Sequence, residues 1–251
     1  MALPAPFYTY GEHYAIDFPG ARAVFTTRRG GHSRGPFASL NLGRLTDDDP
    51  AAVQRNRETV EAQISQPLAF VRQVHGTTVE VVDEASAART RTATPEEMPR
   101  ADGQVTRGRA VALAALTADC LPIAVAADGV VAMLHAGWRG LSDGVIAAGV
   151  AAMRQVGGQG LLRAAIGPGA GPCCYEVGDE VRAAFGEDAA AVPGQPNLDL
   201  KGIAARELES CGVDEVHDIG LCTICSDPTL LFSHRRDRGV TGRQAGIAWL
   251  S

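Results

Sequence analysis

The feature that most constrains this chain is the stretch from Arg109 to His135, which is almost continuously apolar and reads AVALAALTADCLPIAVAADGVVAMLH over residues 110–135. It shows neither the alternation of a half-buried strand nor the stripe of a surface helix, so its residues must be covered on both sides. The run is interrupted at Thr117-Ala118-Asp119-Cys120 and again at Asp128-Gly129, the second a tight-turn signal. Three consecutive buried strands are therefore predicted, and they form the core of the fold.

The flanking sequence adds helices and further strands. Ala23-Val24-Phe25 reads as a strand entering a long Gly-rich loop, TTRRGGHSRGPFASLNLG. A helix is expected from Asp49 as N-cap and Pro50 in the first turn to about Ser65. Val53, Val60 and Ile64 share its apolar face with Asn56 and Arg57, which either make local contacts or point into a polar cavity. Leu68 to Val71 reads as a short strand ending in Arg72-Gln73-Val74-His75-Gly76, and residues 85–101 as an exposed excursion. After Gly140, Leu141, Val145, Ala148 and Ala152 take helical spacing up to Gly157-Gly158. A strand over Leu162–Ile166, a helix with Val177, Val181 and Phe185 on one face, and a helix over about Asp199–Cys211 follow. These elements alternate without a βαβ period, so the expected class is α+β with a mixed sheet, in one domain over residues 1–251.

Composition narrows the function. A formal charge of -6 gives no electrostatic reason to bind nucleic acid. Every hydrophobic run is interrupted too early to span a bilayer, and the first residues lack the pattern of a signal peptide, so a cytoplasmic location is expected. Six cysteines in such a compartment shift the expectation from a disulfide framework to buried thiols, a metal site or a reactive thiol.

Three potential ligands, His75, Cys120 and His135, each fall at the end of a predicted buried strand, where rigid backbone opens into loops. Two imidazoles and a thiolate suit Zn²⁺ and leave a fourth tetrahedral position open, which implies hydrolysis, deamination or group transfer. Spacing alone leaves two rivals: a buried thiol beside satisfied core histidines, or Cys120 as nucleophile with His135 or His75 as its base. Cys222-Thr-Ile-Cys225 also has metal-ligand spacing, but no second such motif accompanies it, and structural burial is expected. The turn His135-Ala136-Gly137-Trp138-Arg139-Gly140 leads into a helix and is a candidate anion site, with Arg139 adding charge. Other cations stand at Arg28-Arg29, Arg235-Arg236 and Arg243.

Taken in order, TTRRGGHS, SLNLG, QVHG, ADCLPI, HAGWRG, AIGPGAGPCCYEVG, FSHRR and TGRQAG resemble the YfiH/YlmD family, once labelled multicopper polyphenol oxidases or laccase-domain proteins. The resemblance implies an α/β sandwich flanked by helices and shared with a cysteine-hydrolase-like toxin. It implies one catalytic Zn²⁺ on His75, Cys120 and His135, with a purine nucleoside and phosphate as small-molecule partners and no obligate protein partner. The implied activity is phosphorolysis of adenosine, inosine, guanosine and methylthioadenosine, together with adenosine deamination. An amidase editing UDP-muramoyl peptides is the alternative, and a copper oxidase comes third, since six scattered histidines do not form the clusters it needs. On this reading Arg28, Asn41, Arg57 and Arg139 bind substrate, and Asp119 handles protons beside the ligands. ADGQVT at residues 101–106 and His234 in FSHRR depart from the family pattern.

Overall fold

The three strands of the apolar run are covered on both faces because the fold stacks two sheets between two layers of helices. The computed structural model describes residues 3–186 and 197–251. The first sheet has the order β1 (Tyr8–Tyr10), β2 (His13–Phe18), β3 (Ala21–Phe25), β12 (Gln244–Leu250), β7 (Ala112–Thr117), β4 (Leu68–Ala69). The second runs β11 (Glu215–Asp218), β10 (Gln159–Ile166), β8 (Leu121–Asp128), β9 (Val130–Ala136), β6 (Gly103–Thr106), β5 (Val79–Val81). Pairing is parallel at β4–β7, β5–β6 and β10–β11 and antiparallel elsewhere, so both sheets are mixed and the α+β expectation holds.

Side-chain alternation shows why the run lacks a polar face. In β8, Ala124 and Ala126 face the first sheet while Ile123 and Val125 face the helices; in β7, Leu113 and Ala115 face the second sheet while Ala112 and Ala114 face outward into another buried cluster. The inter-sheet layer is rich in alanine, which lets two covered sheets approach closely. Outside the first sheet lies α1 (Pro50–Ile64), capped by the Asp49 side chain on the Ala51 N–H and ended by Ser65 in a left-handed conformation. Outside the second lie α4 (Val145–Gln155) and α6 (Leu200–Ser210), burying Ile146, Val150, Ile203 and Leu208.

Several expectations need correction. The excursion at 85–101 contains α2 (Glu84–Thr92), held by a capping box between Asp83 and Ser86. Its surface is mostly polar, so it carries no apolar stripe to betray it. The helix expected after Gly140 is two helices, α3 (Trp138–Ser142) and α4, separated where Gly144 takes φ +93. The strand expected over Leu68–Val71 pairs only at Leu68 and Ala69, and α5 (Asp179–Phe185) completes the helices described. No helix among the described residues is long and apolar enough to cross a membrane.

Candidate metal centre and cleft

Between β7 and β8 the chain steps from one sheet to the other, and this crossing builds the site. Asp119, in the step, takes φ +100, and Cys120 follows it directly. Across the β8–β9 ladder Pro122 stands opposite His135, so the end of β9 delivers an imidazole beside Cys120. His75 arrives on the loop after β4, itself at φ +60. The ligand atoms of His75, Cys120 and His135 all lie within 4.8 Å of one another, with Cys120 Sγ 3.7 Å from His75 Nε2. The imidazole rings meet edge to face at 4.9 Å.

A carboxylate that the sequence did not single out organises this cluster. Asp102, at the entry to β6 and 1% exposed, accepts His135 Nδ1 at 2.8 Å and the backbone N–H groups of His75 at 2.9 Å and Gly76 at 2.7 Å. It also accepts from the Val74 N–H, while its own carbonyl takes the His135 N–H. One buried side chain thereby bends the His75 loop and fixes the His135 tautomer with Nε2 directed away from the carboxylate and available to a cation. With no cation present, burial pushes the Cys120 thiol up, but attraction to His135 and hydrogen bonds from both imidazoles outweigh it and bring the thiol down to about 6. Burial alone would lower the basicity of His135, yet Cys120 and Asp102 raise its pKa to about 9. A thiolate at neutral pH is what both a metal ligand and a nucleophile require.

The glycines of HAGWRG have a steric explanation. A Cβ on Gly137 would stand 2.6 Å from His75 Cδ2 and 3.1 Å from Cys120 Sγ, and one on Gly140 would stand 2.9 Å from the Gly76 carbonyl oxygen. They let the His75 loop lie against the end of β9. Helix α3, which starts there, is only five residues long, and Arg139 stacks on Trp138 and pairs with Glu180 at 3.6 Å, outside the residues lining the cleft.

The cluster opens into a cleft of about 420 Å³. Of the arginines and the amide expected to bind substrate, Arg57 reaches it. Its guanidinium stacks on Phe70 at 3.8 Å and gives Nε and Nη2 to the Leu42 carbonyl, while buried Nη1 has no protein partner among the described residues. Burial lowers its pKa to about 9, so it remains a cation at neutral pH. Arg28 lies elsewhere, with its guanidinium on the Ala38, Pro228 and Pro36 carbonyls and stacked on Phe232. Asn41 is fully buried, binding Thr46 and Asp48 through Nδ2 and the N–H groups of Gly43 and Arg243 through Oδ1. It shapes the loop that forms one wall. Its neighbour in position, Asn56, is equally buried and ties His32, Ser33, Ser39 and Asn41 together, a role in loop packing rather than in the cleft.

Asp119 lines the cleft, but both carboxylate oxygens are engaged, one by the Thr223 hydroxyl at 2.6 Å and one by the Arg235 N–H at 2.7 Å. Arg44, Arg72, Arg235 and Arg243 join Arg57 in the lining, and burial pushes the Tyr175 hydroxyl there up to about 12. His234 also lines the cleft but stands outside the ligand cluster. Only the fold, which gathers α1, the loops that carry Arg44 and Arg72, and the segment between β11 and β12, could have brought these cations together.

The fold is a two-sheet sandwich that presents a His/Cys/His cluster, a donor set of the kind that can hold a metal ion, to a cation-rich cavity. The chain belongs to the YfiH/YlmD family: the family described as "Multi-copper polyphenol oxidoreductase laccase" matches residues 22–251. It is 42% identical over 250 residues to "Purine nucleoside phosphorylase" of Xylella fastidiosa, covering 92% of this chain and 93% of that protein. It is 38% identical to "Purine nucleoside phosphorylase YlmD" of Geobacillus stearothermophilus, over 91% and 90% of the two chains. The crystal structure of Bacillus licheniformis YfiH superposes with a TM-score of 0.88 at 30% identity, over 99% of this chain and 100% of that one.

Proposed function

We propose that this chain is a Zn²⁺-dependent purine nucleoside phosphorylase. The observation that carries the reading is the cleft itself: a soft N₂S ligand set with a fixed tautomer opens onto a cavity whose buried Arg57 offers an unpartnered N–H. A Zn²⁺ on His75, Cys120 and His135 would supply a Lewis acid at the cavity floor. The donor set fits it: the three ligand atoms lie within 4.8 Å of one another on residues that line the cleft, and three protein ligands leave a fourth position for substrate or water.

The residues of the chain account for the rest of the reaction by position and charge. Phosphate needs buried or half-buried cations, and Arg57 and Arg243 provide them, Arg243 with its basicity lowered by burial. Arg44, Arg72 and Arg235 add further positive charge at the walls. Phe70, Leu116 and Tyr175 offer the apolar and aromatic surface that a purine needs, and the neutral Tyr175 hydroxyl can donate a hydrogen bond to a ring nitrogen as the base departs. Phosphate then attacks the anomeric carbon while the glycosidic C–N bond breaks, and the cations hold the phosphate throughout. Adenosine deamination in the same cleft belongs to this reading as a second activity. A multicopper centre would require further imidazole clusters, and His234 is the only other histidine lining the cleft among the described residues.

The test is incubation with adenosine, with and without phosphate. Adenine and ribose 1-phosphate, formed only with phosphate and lost in Cys120→Ser, support phosphorolysis, and inosine marks deamination. Turnover unaffected by Cys120→Ser, or turnover of a muramoyl peptide alone, overturns the proposal.

A further inference from the structure

A second cluster of thiols lies apart from the His75 centre. Cys173 and Cys174 stand in the loop after β10, and Cys222 and Cys225 in the segment after β11. The two segments are laced together by Gly169 N–H to Leu221 O at 3.3 Å and Thr223 N–H to Gly169 O at 3.0 Å. This brings all four sulfurs within 4.8 Å of one another. Cys173 Sγ and Cys225 Sγ are 3.5 Å apart. Four sulfurs about 2.3 Å from one tetrahedral ion are spaced by about 3.8 Å, and separations of no more than 4.8 Å are within a small shift of that arrangement.

The backbone is shaped around these sulfurs. Cys222 is buried, and its Sγ accepts the Gly171 N–H at 3.3 Å. A backbone N–H donated to a sulfur suits a thiolate, the form a metal takes. Gly171 packs closely against the cluster, where a Cβ would stand 3.2 Å from Cys222 Cβ and 3.4 Å from Cys173 Sγ. Paired thiols at adjacent positions and at i, i+3 are compact chelating units once the fold sets them face to face.

We propose that Cys173, Cys174, Cys222 and Cys225 form a second metal site, a closed four-thiolate centre that holds one Zn²⁺ and braces the wall of the cleft. Four protein ligands leave no position for substrate, so the ion is structural. Its location says what it braces. Ala170 N–H reaches the Asp119 carbonyl at 2.7 Å, and the Thr223 hydroxyl reaches the Asp119 carboxylate at 2.6 Å. Asp119 precedes the ligand Cys120, and Cys174 precedes Tyr175 of the cleft. Both cysteine-bearing segments thus grip the β7–β8 crossing, and an ion joining them fixes that crossing from behind.

The test is zinc content and zinc X-ray absorption on the full chain purified without added metal, for the unaltered protein, His75→Ala and the pair Cys222→Ser/Cys225→Ser. The expected stoichiometry is about two zinc per chain in the unaltered protein and about one in each variant. The zinc retained by His75→Ala should show a shell of sulfur alone, four atoms at about 2.3 Å. Should the paired variant fail to fold, His75→Ala and the unaltered protein still decide. One zinc with four sulfur neighbours in the unaltered protein supports this site and refutes the His75 centre, so the two readings fail separately. Iron in place of zinc, a mass lower by two hydrogens from a Cys173–Cys225 disulfide, or a metal-free folded His75→Ala chain overturns the proposal.

Discussion

Replacing Asp102 by Asn keeps the shape of a buried side chain but removes its charge and one of its acceptors. The carboxylate now serves two sets of donors: Oδ1 takes His135 Nδ1 at 2.8 Å and the His75 N–H at 2.9 Å, and Oδ2 takes the Gly76 N–H at 2.7 Å. An amide offers one oxygen, so its NH₂ must face either Gly76 or the His75 and His135 pair. In the first case one buried donor meets another, at a cost of about 1–3 kcal/mol and, for a chain this size, a fall in Tm of about 2–4 °C per kcal/mol. In the second, His135 Nδ1 becomes an acceptor and the ring proton moves to Nε2, the nitrogen that must face the metal. Loss of such a partner typically weakens metal binding about 10- to 100-fold, or about 1.4–2.8 kcal/mol. The assay is zinc affinity by competition with a chromophoric chelator, alongside thermal unfolding of the metal-free chain. A drop in Tm with zinc affinity unchanged within about twofold would mean that Asp102 holds the loop without tuning the ligand, contrary to this account.

Three other expectations follow from the same geometry. Gly137→Ala suits the backbone at φ -74 and ψ 164 but places a methyl 2.6 Å from His75 Cδ2, so zinc affinity should fall while thermal stability without metal stays within about 1 kcal/mol. Arg57→Met should keep the stacking surface on Phe70 and raise the KM for phosphate about 10-fold or more, from loss of a charged hydrogen bond worth about 1.5–3 kcal/mol, with a smaller effect on nucleoside KM. In metal-free protein, alkylation of Cys120 should persist as pH falls from 9 to about 6, because its depressed pKa keeps the thiolate populated above that value, and should decline only below it. A midpoint near the ordinary thiol value would show that the His135 pairing does not form in solution.

The strands of the apolar run were legible because burial on both faces leaves a continuous apolar pattern, and their ends marked Cys120 and His135, while His75 was marked by the short strand at Leu68. Helix α2 was not, since its stability rests on the Asp83 and Ser86 cap rather than on an apolar stripe. Asp102 escaped notice for a different reason. Its partners are mostly backbone N–H groups, which every residue carries, so nothing in the sequence marks where they converge. The cysteines failed by distance: Cys173 and Cys225 are 52 residues apart, and each pair alone resembles buried thiols.

The arginines make the limit of sequence reasoning most concrete. Arg28 and Arg57 each stack on a phenylalanine, and each was a reasonable candidate for substrate. Their difference lies in how many carbonyls the surrounding loops direct at the guanidinium. Around Arg28 three carbonyls converge, and Nε, Nη1 and Nη2 are all satisfied. Around Arg57, among the described residues, Leu42 O is the one carbonyl that accepts from the guanidinium, and Nη1 is left buried beside the cleft. A buried cationic N–H without a protein acceptor costs the fold about 1–3 kcal/mol or more. A water or an anion that reached it from the cleft would offset that cost; on the phosphorylase proposal the partner is phosphate, and Arg57→Met is the variant that tests it.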